Sequence, residues 1–93
     1  MARVAKLLRI TGSVQGVGYR YFTRKNADSL GITGWVKNIP DGSVEAFICG
    51  EEYNVDMMEE RLWIGPRSAF VTEIVELQPD ETGSQYSDFT VLR

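Results

Sequence analysis

Arg20 closes the stretch Gly12-Ser13-Val14-Gln15-Gly16-Val17-Gly18-Tyr19-Arg20, which joins a glycine-rich loop to a guanidinium. Its three glycines can take left-handed or crowded backbone conformations closed to other residues. Such a loop can turn its amide hydrogens inward as a nest for an oxyanion. Helical spacing begins near Tyr19, so a helix amino terminus adds free amides and the positive end of its dipole. Arg20 then offers a planar cation that can grip a phosphate with two parallel hydrogen bonds. A cation at that helix end opposes the dipole, and a bound anion would offset the cost. The stretch lacks the Gly-Lys-Ser/Thr ending of a nucleotide loop and the glycine spacing of dinucleotide sites. Glycine-rich turns also precede helices for steric reasons alone. The loop therefore leaves a small phosphate site and an ordinary strand-to-helix turn both open.

Other chemistry is narrowed by composition. The 93 residues include no histidine and one cysteine, Cys49. Imidazole catalysis, histidine metal sites, cysteine metal clusters and internal disulfides are excluded on that ground. The net charge of -3, with the basic residues dispersed along the chain, argues against a general nucleic-acid binder. No apolar run approaches the length of a membrane span, and Met1-Ala2-Arg3-Val4 does not open a signal peptide. The expectation is one cytoplasmic domain over residues 1–93, with 43% hydrophobic and 25% charged residues as in ordinary soluble proteins.

The elements that must carry the loop can be read from spacing. Residues 4–11 predict a central strand and residues 19–30 a helix. Tyr19, Phe22, Thr23, Asn26, Ala27 and Leu30 share one side of that helix, and Gly31 stands as its cap. Tyr19 and Phe22 read as core. Residues 32–39 predict a second strand with Trp35 as its largest buried anchor. Pro40-Asp41-Gly42-Ser43 predicts a turn, with Asp41 structural, and residues 44–50 a returning strand. Cys49 reads as a strand residue without chemistry. A second helix is expected within residues 51–64, with Asn54 as cap and Val55, Met58 and Leu62 as its buried stripe. Residues 69–77 predict a strand in which Ala69, Val71, Val75 and Leu77 keep one parity and Glu73 breaks it. Residues 79–85 predict a polar loop, and residues 86–92 a short last strand with Phe89 and Val91 inward. The order β-α-β-β-α-β plus a short carboxy-terminal strand predicts an α+β ferredoxin-like sandwich. In it two helices cover one face of a mostly antiparallel sheet. That fold hosts many functions and selects none.

The sequence resembles the acylphosphatases over essentially its whole length. One match is Gly12-x-Val14-Gln15-Gly16-Val17-x-Tyr19-Arg20. A second is Gly31-Ile32-x-Gly34-Trp35-Val36-Lys37-Asn38-x-x-Asp41-Gly42-x-Val44-Glu45-Ala46. A third, weaker one is Gly65-Pro66-x-Ser68-Ala69-x-Val71 with Phe89-x-Val91. Tyr19 stands where phenylalanine is common in the family, and Lys37 where arginine is common. The resemblance implies a small, monomeric cytoplasmic hydrolase that splits acyl phosphates into a carboxylate and orthophosphate, with no metal and no cofactor. It implies that Arg20 binds the phosphate and that Asn38 positions the water. The cradle would be Gln15, Gly16, Val17, Gly18, Tyr19 and Arg20. Without the family, Asn38 ahead of Ile39-Pro40-Asp41-Gly42 reads as a strand-end or turn residue.

Inorganic phosphate and sulfate are expected to compete for such a site, and no nucleic acid or membrane partner is expected. The main rival is a non-catalytic ligand-binding or regulatory domain, which would not need both Arg20 and Asn38. A metal carrier would need a Cys-x-x-Cys pair. An RNA binder would need surface aromatics on a basic face, for which Phe47 and Trp35 are weak candidates. An acylphosphatase-like domain also occurs within larger carbamoyl-transfer proteins; the chain ending at Arg93 favours a stand-alone enzyme.

Overall fold

The computed structural model describes residues 2–79 and 86–92. Its elements are β1 (Arg3–Ser13), α1 (Tyr19–Leu30), β2 (Thr33–Asn38), β3 (Val44–Glu51), α2 (Glu52–Ile64), β4 (Phe70–Leu77) and β5 (Phe89–Val91). The strands form one sheet in the order β4-β1-β3-β2-β5, antiparallel except where β5 runs parallel to β2. Both helices pack on the same layer of core, so the fold is the ferredoxin-like sandwich. Most of the expected polar loop, residues 80–85, lies outside the described residues.

Strand β1 is central because residues on its helix side are apolar. Leu8 and Ile10 are fully buried there. Lys6, on the same side, reaches past the core edge to Glu59 of α2 at 3.0 Å. On the opposite side Leu7 faces Phe47, and Arg9 pairs with Glu45 at 3.0 Å. Helix α1 buries Tyr19, Thr23 and Ala27, which lie one turn apart, and ends on left-handed Gly31 as expected. Helix α2 buries Val55, Met58 and Leu62. Arg61 of α2 donates to the Asn26 side chain of α1 at 2.9 Å and ties the helices together.

Three expectations need correction. Trp35 does not anchor the helix-side core. It lies half-buried on the other face of the sheet, stacked on Phe47 with ring centroids 6.0 Å apart and Lys37 over its ring. Both faces of β2 and β3 carry apolar residues, so alternation did not reveal which face the helices cover. Asn54 does not cap α2, because the helix already starts at Glu52 and its capping position is Glu51. In β4 the register slips where Thr11 pairs with Glu73 and Gly12 with Val71. That bulge leaves Thr72 as the extra residue and reverses the alternation, so Val71 and Ile74 pack on the core while Val75 is 40% exposed.

Candidate active site

The loop between β1 and α1 is shaped by two glycines. Gly16 and Gly18 have φ of 72° and 78°, and Val17 between them does not have positive φ. This alternation of hand is the geometry that turns successive backbone amides to one side. A side chain at either position would be strained by the backbone itself. Gly18 is also the capping residue of α1, with no side-chain cap, and the first turn of the helix carries no acidic residue. The helix amino terminus therefore keeps amide donors and its positive end facing the loop.

Four anchors hold this loop in place. Val14 is buried in the core. The Tyr19 hydroxyl donates to the Leu62 carbonyl at 2.7 Å, one of the last carbonyls of α2. Burial pushes the Tyr19 phenol above its ordinary value. The Thr23 hydroxyl donates to the Tyr19 carbonyl at 2.8 Å. The Gln15 carboxamide donates to the carbonyls of Ile39 and Ser43, at 2.7 and 2.8 Å, and so joins the loop to the turn after β2. In that turn Asp41 accepts from the Ser43 hydroxyl at 2.6 Å and the Ser43 amide at 2.9 Å. Those two bonds hold the Asp41 carboxyl below the usual carboxylate range, and its role is to shape the turn, as the sequence suggests.

Asn38 is the last residue of β2, paired with Val44 across the hairpin. The sheet order places β2 two strands from β1, and α1 crosses between them. Asn38 thereby comes to the same end of the molecule as the loop. It lines one cleft of about 290 Å³ with Val14, Gly16, Gly18, Arg20 and Val91. Its Oδ1 is buried and has no hydrogen-bond partner among the described residues. Arg20, in the first turn of α1, donates from Nη1 to the Leu92 carbonyl at 2.7 Å. A guanidinium carries five N–H donors, so this bond fixes the fork without exhausting it. The cleft thus holds a backbone nest, a steadied guanidinium and an amide oxygen with an open acceptor position.

The acylphosphatase family model matches residues 6–91 of this sequence. The chain belongs to the acylphosphatase family. It is 48% identical over 84 residues to an acylphosphatase of Acaryochloris marina, covering 90% of this chain and 88% of that protein. The crystal structure of an acylphosphatase from Bacillus subtilis superposes with a TM-score of 0.89 at 30% identity, over 99% of this chain and 100% of the other. An acylphosphatase structure from Coxiella burnetii gives a TM-score of 0.84 at 38% identity, over 97% and 93%. Acylphosphatase-type hydrolysis is thereby the family activity of this chain.

Of the expected site residues, Gly16, Gly18, Tyr19, Arg20 and Asn38 line this cleft together, while Val17 lines a neighbouring one. Gln15 stands at the start of the loop with its side chain turned to the hairpin. The residues not expected at the site from the sequence are Val14, Tyr21, Arg24 and Val91, together with the Leu92 carbonyl. Arg24 could have been found, because it stands one helical turn after Arg20. The Leu92 carbonyl could not, because a backbone acceptor has no signature in residue type. Among the described residues, no three acidic or thiol side chains gather in a way that could hold a metal ion. No helix among them is long and apolar enough to cross a membrane.

Proposed function

We propose that this cleft hydrolyses the carboxyl–phosphate bond of acyl phosphates without a metal, with Arg20 and Asn38 as its two catalytic side chains. The reading is carried by the Asn38 Oδ1, buried and without a partner in the cleft that Arg20 lines. A buried acceptor left unsatisfied costs about 1–3 kcal/mol, and a water donating to it removes that cost. Such a water sits beside a phosphoryl group held by the loop 15–20.

The amides around Gly16 and Gly18 and the Arg20 fork bind the three non-bridging oxygens and neutralise their charge. Asn38 accepts one hydrogen of the water through Oδ1, and its Nδ2 can donate to a phosphoryl oxygen. The water oxygen bonds to phosphorus as the bond from phosphorus to the acyl oxygen breaks. The electron pair leaves with the carboxylate, and the water's proton passes to a phosphoryl oxygen. A carboxylate is a good leaving group, so no strong general acid is required.

The test is a hydrolysis panel. Acetyl and benzoyl phosphate should be cleaved at rates that survive exhaustive chelation, while a simple phosphate monoester is not. Orthophosphate and sulfate should inhibit competitively, because the loop recognises the tetrahedral oxyanion. Activity lost to chelator and restored only by a divalent ion would reject the metal-free scheme.

A further inference from the structure

We infer that Gln15 is a positioning residue for Asn38, and that its task lies in turnover rather than in phosphate binding. The inference rests on the water-positioning role proposed for Asn38.

The hairpin beyond Asn38 is closed by a pair of backbone bonds. Ile39 N–H donates to the Ser43 carbonyl at 2.8 Å, and Gly42 N–H donates to the Ile39 carbonyl at 3.0 Å. Each of those two carbonyls has a second lone pair. The Gln15 carboxamide donates to both, at 2.7 and 2.8 Å. One side chain from the phosphate loop is thus fixed to the two oxygens that define the strand end directly after Asn38. Gln15 lies 24 and 28 residues from its partners, and its bonds extend the contact between loop and hairpin beyond Ile10 and Val44, the last register pair of β1 and β3.

The residue type is demanded by the geometry. Two carbonyl acceptors require two N–H donors on one centre, at the reach of a two-carbon stem. A glutamate of the same shape is ionised, has no donor and would face two carbonyl oxygens. A methionine of similar length fills the space and makes neither bond. Meanwhile the loop that carries the amides of Gly16, Val17 and Gly18, and the helix start that carries Arg20, keep their other three anchors at Val14, Tyr19 and Thr23 when the Gln15 side chain is changed. Loss of Gln15 should leave the grip on phosphate and let Asn38 shift by a fraction of an ångström from the attacking water. Such small misplacements are costly only in the transition state.

The experiment is a double-mutant cycle on Gln15→Met, Gln15→Glu and Asn38→Ala, read by turnover at saturating acyl phosphate and by titration with orthophosphate. Each Gln15 variant should lower kcat by about tenfold or more, with phosphate affinity kept within about threefold. In the Asn38→Ala background the same Gln15 changes should alter kcat by less than about threefold, because their effect passes through Asn38. Three results overturn the inference: unchanged turnover in both Gln15 variants, parallel loss of turnover and phosphate affinity, or the full Gln15 effect persisting without Asn38. A variant that no longer folds gives the second result and makes Gln15 structural. If Asn38→Ala itself leaves turnover intact, the proposed water-positioning role fails first, and that failure is read separately from the Gln15 variants.

Discussion

At the residue scale, Asn38 and Arg20 should fail in different ways. Asn38→Ala removes the oriented acceptor but none of the phosphate donors. Turnover should fall by about two to three orders of magnitude, the range seen on deleting one key polar group, while orthophosphate affinity changes little. Steady-state kinetics beside a phosphate titration separate the two, and equal losses would move Asn38 to binding or folding. Arg20→Lys keeps the charge and loses the planar fork. It also loses the directed bond to the Leu92 carbonyl, which the arginine makes from Nη1. Phosphate affinity and turnover should both drop, each by about tenfold or more, because a point charge on a flexible stem cannot match a nest fixed by backbone. That bond is solvent-exposed, so the denaturation midpoint should correspond to a loss of no more than about 1 kcal/mol. Wild-type turnover in this variant would reduce Arg20 to a field effect.

At the element scale, Tyr19 couples the start of α1 to the end of α2. Tyr19→Phe leaves the Leu62 carbonyl without its donor and should cost about 1–3 kcal/mol of stability in urea unfolding. The phenol also has a sign to its pH dependence. Its folded pKa is raised above the ordinary 10.0, so ionisation favours the unfolded chain once pH exceeds that value. Stability should be undiminished by this group below pH 10.0 and fall as pH rises beyond it, and Tyr19→Phe should flatten that alkaline limb. An unchanged limb would mean that the phenol ionises equally well in both states. The sequence made α1 legible because its periodic stripe and its glycine cap agree. It made Arg20 and Asn38 legible through motif context rather than through their own residue types. It hid the phase of β4, because a bulge adds one residue to a pattern of period two, and neither Thr72 nor Glu73 marks the slip. It hid the orientation of Trp35 because the sheet face away from the helices is apolar too, with Phe47 fully buried there against Trp35.

At the scale of the whole molecule, a cationic cleft sits in a chain of net charge -3. Arg24 lines that cleft beside Arg20, and its pairing with Asp28 is a loose, exposed contact of 3.8 Å. Its charge should draw anionic substrate from beyond contact range. Arg24→Gln should therefore lower kcat/KM and flatten its decline with added sodium chloride, while kcat stays within about twofold. An identical salt slope in the variant would remove Arg24 from substrate attraction. The site is also assembled from three distant segments of the chain: a loop at residues 15–20, a strand end at Asn38, and the carbonyl of Leu92 that steadies Arg20. That carbonyl arrives only when β5 docks in parallel beside β2, a pairing without a hairpin to guide it. Recovery of enzyme activity is thus a clock for the closing event of folding. In stopped-flow refolding, helix signal and tryptophan emission can return while the guanidinium is still unsteadied, and full hydrolysis should lag until the final strand is in place.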